Sequence, residues 1–319
     1  MAVGSRAMKL TEEMRARAAE LLRSLDDGQR ARAAYPFADE PARRWIEYRP
    51  RERPGACLDD LDRTARKAAH RLLAAALSPY AYAQAMAVVA LEEVLDRIEG
   101  WERGRHLNDY WVAVFGDPAG DDHWGWRFEG HHLSVSITVA GEDVSPAPVF
   151  LGANPARVRH DGRTVLEPLA AEEDLARALL DAMGPGGRSV AVVSGTAPDD
   201  IESAQLPWVD PLHPQGVLAS DLRPVARALL DELVARYVGR LADGLAGPLV
   251  SGVDRDRLAF AWAGGSRPGE GHYYRIQAPD LLIEYDNTQD GANHAHTVLR
   301  RPDSDFGADI LAAHRASPH

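Results

Sequence analysis

Cysteine is nearly missing: Cys57 is the single one in 319 residues. An internal disulfide and a thiolate cage around a metal are both excluded. No apolar run approaches the roughly 18 residues a membrane-crossing helix needs, and those present, such as residues 81–91, are short and alanine-rich. The start, MAVGSRAMKLTEEMRARAAELL, has no hydrophobic leader core and no small-residue cleavage site. A cytoplasmic location without membrane association is the expectation. Positive charge is in deficit, at a formal net charge of −12, which argues against nucleic acid as a partner. Familiar short motifs are missing too: no G-x-x-x-x-G-K-[ST], no H-E-x-x-H, no dinucleotide fingerprint and no G-x-S-x-G.

What is present is a globular composition, 45% hydrophobic and 26% charged, with two textures. Residues 1–100 read as helical. A first helix has Thr11 as its cap and Met14, Ala18, Leu21, Leu22 and Leu25 at helical spacing. A second covers residues 58–77. A third follows Ser78 as N-cap with Pro79 in the first position. Beyond Gly100, β-branched and aromatic runs take over. Strands are expected at 110–115, 124–129, 131–140 and 144–151, then at 258–263, 272–277, 281–286 and 294–300. Between these two meanders come a helix over 172–183, a short strand at 189–193 and a helix over 221–238, with Asp221 as its cap. A last helix begins near Phe306. No composition shift divides the chain, so the expectation is one α+β domain over residues 1–319. Helices lie on a large antiparallel sheet, or on two meanders packed into one body.

The sharpest chemical feature lies between residues 281 and 307. Glu284 and Asp286 are two apart, as are His294 and His296. Alternate residues of a strand share a face, and Asp290-Gly291 marks a turn between the two runs. Pairing Asp286 opposite His294 would gather two imidazoles and two carboxylates on one face. Neutral imidazole with carboxylate is a ligand mixture for zinc first, and also for iron, manganese or copper. In that reading His294, His296 and Glu284 are ligands, while Asp286, or alternatively Glu284, serves as general base. The competing reading is a polar cross-strand ladder with no catalytic role. Asn287 and Asn293 either contact a ligand or close their own loop.

A second cluster is His131-His132, at the head of a strand. Adjacent strand residues point to opposite faces, so at most one of the two is expected in any one site, as a further ligand. Trp124 and Trp126 could stack a flat ligand or anchor the core. The arginines at 43, 44, 49, 51 and 53 either bind a small anion, with Arg44 and Arg53 as contacts, or make ordinary ion pairs. Asp199-Asp200 after Pro198 resembles a helix cap.

The phrases RRWIEYRPRERPG, WGWRFEGHHLSVSITV, FLGANPARV and YYRIQAPDLLIEYDNTQDGANHAHTVLRRPDSDFG, in that order, resemble a bacterial and fungal domain-of-unknown-function family, DUF 3500. The resemblance runs from about Arg43 to His319 and implies one family-wide domain. It brings no reaction, cofactor or catalytic residue with it. The functional expectation therefore rests on the residues: a metal-dependent enzyme, hydrolytic because a metal-bound water is a nucleophile near neutral pH. The alternatives are an oxidative iron or copper enzyme and a metal-free protein binding a small anionic ligand.

Overall fold

The computed structural model describes residues 2–316; residues 317–319, the tail of the resemblance, lie outside the described residues. The chain is α+β, with helices on a mixed, mostly antiparallel sheet. The helix Arg63–Ala76 starts at Asp62, whose carboxylate accepts from Ala65 N at 2.8 Å. It buries Ala65, Ala68, Ala69, Leu72 and Leu73, the stripe its spacing gives. Pro79–Ile98 follows, with Ser78 Oγ accepting from Ala81 N at 3.2 Å and Pro79 in the first turn.

Several boundaries differ from expectation, each for a local reason. The first helix, Ala2–Ser24, runs straight through Thr11, because the Arg, Ala, Met and Lys upstream are good helix formers and leave nothing to cap. Residues 189–191 are the end of a helix, Gly184–Ala191, with Pro185 in its first turn. The strand there is only Val192–Ser194. The next helix is Pro224–Val238. Asp221 belongs to a separate 3₁₀ turn, since Arg223 before the proline is held extended. Pro146 and Pro148 split the expected 144–151 strand into Asp143–Ser145 and Val149–Ala153. A helix at Asp243–Gly252 and a small hairpin, Val158–His160 with Arg163–Leu166, had no clear signal.

The two meanders are one sheet. Tyr110–Phe115, His123–Gly130, Leu133–Ala140 and Val149–Ala153 lie side by side. Ala259–Gly264, His272–Ala278, Leu281–Gln289 and His294–Arg300 do the same. The halves join edge to edge where Val149–Ala153 pairs antiparallel with His294–Arg300. Alternation then separates two environments. One face carries Trp124, Trp126, Phe128, Val135, Ile137, Tyr274, Ile283, Tyr285 and Leu299 into the main core, beneath the helices. The other carries Arg127, Glu129, Ser134, Glu284, Asp286 and His296, covered by residues 39–54, which include the short helix Glu40–Arg43, and by residues 195–216, which have no regular structure. A small apolar cluster of Ile46, Tyr48, Phe150, Ile201, Val298 and Phe306 fastens that covering. No helix among the described residues is long and apolar enough to cross a membrane.

Candidate metal centre

The site forms at the seam between the two half-sheets, on the loop-covered face. His296 sits on the His294–Arg300 strand opposite Gly152 of the Val149–Ala153 strand. His132 comes from the turn between the His123–Gly130 and Leu133–Ala140 strands. Its backbone is fixed on both sides, with His132 N donating to Tyr48 O at 3.0 Å and Gly152 N donating to His132 O at 2.7 Å. Gly152 is required here. A Cβ at that position would lie 2.8 Å from both His132 Cδ2 and Ala295 O. The bare backbone therefore leaves the His132 ring room to cross one strand and reach the next.

Three imidazoles converge. His132 Nε2 lies 2.8 Å from His294 Nε2 and 3.3 Å from His296 Nε2. The outer nitrogens face carboxylates: His296 Nδ1 donates to Asp200 Oδ1 at 2.8 Å, and His294 Nδ1 lies 3.1 Å from Asp290 Oδ2. Asn154 Nδ2 donates to that same Asp290 oxygen at 3.1 Å and lies 3.2 Å from His294 Nδ1. An ionised carboxylate only accepts, so each of these Nδ1 atoms carries a proton, and in the neutral ring each Nε2 presents a lone pair inward. His132 Nε2–H can satisfy one of those lone pairs and leaves the other unpaired. Tetrahedral zinc with bonds of ~2.0–2.1 Å spaces its nitrogens ~3.3–3.4 Å apart. The 3.3 Å pair already has that spacing, and the 2.8 Å pair needs to open by about half an ångström. Carboxylates on the outer nitrogens are the arrangement that orients metal-bound histidines.

Electrostatics favour the neutral form of His132 and His294. Burial pushes His132 well below the ordinary histidine range, and the neighbouring His131, His296 and His294 push it further. His294 is likewise lowered, by burial first and then by His296. Asp200 is burdened by burial, but hydrogen bonds from His296 and Tyr48 outweigh this and hold it ionised. Tyr48 donates to Asp200 Oδ2 at 2.9 Å and stacks on Phe150 with ring centroids 4.0 Å apart. Asp286 lies beside this pair. Its Oδ1 accepts from Thr288 N and Oγ1 at 3.0 and 2.7 Å, whereas Oδ2 is buried without a hydrogen-bond partner, 3.9 Å from His296 Nδ1. Burial raises Asp286 to about 6.

The other sequence candidates separate. Glu284 is fully buried but turned away from the imidazoles; it accepts from Glu202 N at 2.7 Å and Tyr273 Oη at 2.8 Å. The hairpin register explains part of this. Asp286 pairs with His296 and Glu284 with Val298, two residues off the expected pairing of Asp286 with His294. An even shift keeps every side chain on its face, so the face was legible while the neighbours were not. His131 and His132 do not diverge as strand residues would. They form a turn with His132 at φ 59°, and their rings stack at 3.7 Å between centroids. His132 joins the cluster; His131 turns outward, with Nδ1 2.5 Å from Glu92 Oε1. Trp124 and Trp126 lie in the helix-covered core, closed to a ligand. Arg44 stacks over Trp208, and Arg53 lies buried near Glu129. Asn287 accepts from His272 N at 2.8 Å, and Asn293 from Arg157 N at 2.8 Å.

Beyond His131 opens a cavity of about 770 Å³, whose wall mixes Arg51, Arg53, Arg103 and Arg105 with Glu52, Asp59, Asp60 and Asp109. It does not include the three converging histidines.

Asp200, Asn154, Tyr48 and Glu92 were not singled out as site residues. Asp200 is 96 residues from His296 in sequence and carries no local mark beyond its cap-like context; it caps no helix. Asp290 had a signal: four residues before His294 across a tight turn, it was within reach. Among protein families, residues 7–308 match the one described as Protein of unknown function (DUF3500). The chain belongs to that family. No curated protein and no solved structure matches it. In this DUF3500 chain, then, the chemistry must be read from the geometry. His132, His294 and His296 form a group able to hold a metal ion, flanked by two further groups, Glu92 with His131 and His132, and Asp200 with Asp286 and His296.

Proposed function

We propose that the protein is a metal-dependent enzyme whose ion is held by Nε2 of His132, His294 and His296. The observation that supports this best is the inward convergence of three imidazoles, two of which, His296 and His294, turn their outer nitrogens to Asp200 and Asp290. Without a cation, more lone pairs point at one another than protons are available to fill. Three protein ligands leave a tetrahedral position for water, and zinc lowers the pKa of such a water to about 7. Hydrolysis follows as the reaction class. Asp286 supplies the base, with a buried, unpartnered Oδ2 beside the cluster. The same three nitrogens suit copper or iron, and metal identity separates a hydrolase from an oxidative enzyme.

Elemental analysis of untagged protein purified without chelator tests the reading, beside a His294→Ala/His296→Ala double variant. Near-stoichiometric zinc, iron, manganese or copper that disappears in the variant is the expected result. No metal in either protein, and no uptake on reconstitution, would overturn it. The cavity next to His131 carries a second reading, a metal-free ligand site, whose wall sets Glu52, Asp59, Asp60, Glu92 and Asp109 beside its arginines. Its volume suits a small molecule.

A further inference from the structure

Glu284 is a buried carboxylate that the proposed reaction does not use. It lies on the Leu281–Gln289 strand, two residues before Asp286 and on the same face. Its partners explain it. Oε1 accepts from Glu202 N at 2.7 Å, and both oxygens lie 3.3 Å from Ser203 N. Tyr273 Oη donates to Oε1 at 2.8 Å. Burial raises its pKa, and these donors offset the effect only in part.

The backbone it grips is part of residues 195–216, the strap that carries Asp200. Neighbouring side chains on the same sheet face grip the strap elsewhere. Gln277 makes two hydrogen bonds to Leu212, accepting from its N at 3.1 Å and donating to its O at 2.8 Å. Arg275 donates to Glu202 Oε2 at 3.0 Å and to Pro214 O. Gln289 Nε2 donates to Asp199 O at 3.0 Å. The strap has no regular secondary structure between residues 195 and 216. Its position is therefore set by these side chains and by buried Ile201, not by a ladder of its own.

We propose that Glu284 is a positioning residue for the metal centre, acting through Asp200. By holding the two peptide N–H groups immediately after Ile201, it fixes the point from which Asp200 Oδ1 reaches His296 Nδ1. That contact in turn sets the tautomer and ring angle of His296. The inference rests on the three-histidine reading above. Glu284, which the sequence offers as ligand or base, instead organises the loop that supplies the orienting carboxylate.

Cobalt(II) serves as the probe, because its visible d–d spectrum reports coordination geometry. Metal-free wild type, Asp200→Asn, Glu284→Ala, Glu284→Gln and Tyr273→Phe would each be titrated, with circular dichroism as the check on folding. Loss of an orienting partner weakens metal binding by about 10–100-fold. That loss is expected for D200N, and for E284A together with the same change in band shape. E284Q keeps an acceptor and is expected to recover most of the affinity. Wild-type affinity and spectrum in folded E284A, with D200N weakened, would overturn the positioning role while leaving the metal reading intact. A wild type that takes up no cobalt would sink both. Should E284A not fold, Y273F decides, since it removes one donor that holds Glu284. Weakened cobalt binding with a shifted spectrum supports the proposal, and wild-type affinity and spectrum in folded Y273F overturn it.

Discussion

His272 shows how a single buried side chain sets a property of the whole fold. It is fully buried, stacked on Trp262 at 4.5 Å between centroids, with Arg177 Nη2 3.1 Å from its Nδ1. Burial, and then the Arg177 charge, push its pKa down to about 4, against about 6.5 in the unfolded chain. Between those two values the unfolded chain binds a proton that the folded chain refuses. Its contribution to stability is therefore complete above about pH 6.5 and falls as the pH drops toward 4, by an amount on the order of 3 kcal/mol. Urea unfolding at pH 7 and pH 4.5 checks this with His272→Phe, which keeps a stacked ring but cannot titrate. The variant is expected to lose less stability on acidification than the wild type; equal losses would contradict the assignment. The metal-site histidines are the same in both proteins and drop out of the comparison.

The hairpin that supplies His294 and His296 shows what an element adds. Asp290, Gly291 and Ala292 all have positive φ, 51°, 65° and 64°, and the register slips between Asp286 and Gln289. Only Gly291 adopts this conformation freely. The left-handed region costs a residue such as Ala292 about 1–2 kcal/mol, while glycine's extra chain entropy returns about 0.5–1 kcal/mol of that. Ala292→Gly is thus expected to stabilise the protein by about 0.5–1 kcal/mol, read as a higher urea midpoint at unchanged slope. Asp290 is different, since its carboxylate holds His294. Asp290→Gly would relieve the backbone in the same way and is expected to weaken metal binding by about tenfold, seen by cobalt(II) titration. The turn was legible as Asp290-Gly291; the bulge was not, because register depends on the partner strand as well as on the loop.

Across the whole molecule, one buried ion pair ties the helical layer to the strand beneath the site. Arg240 follows the Pro224–Val238 helix and has no exposed surface. It donates to Glu172 Oε1 at 2.9 Å and to Thr297 Oγ1 at 2.8 Å. Thr297 adjoins His296, so this contact backs the metal-binding strand from the opposite face. Arg240→Ala would strand the Glu172 carboxylate in the core, and a loss of about 3–5 kcal/mol is expected, measured by denaturant unfolding. A loss below about 1 kcal/mol would mean that the pair is not the tie it looks to be. At this scale the sequence determined the α+β class, the helical stripe of residues 65–73, the antiparallel strands, and the face shared by Asp286 and His296. All of these follow from periodicity along one segment, which burial enforces locally. Only the tertiary structure decided that the half-sheets join edge to edge, that His132 crosses Gly152 to meet His294 and His296, and that Asp200 stands behind His296 while Glu284 holds the strap. These are contacts between segments far apart in the chain. They are fixed by which sheet edges pair and which loops cover them, and no local spacing records that.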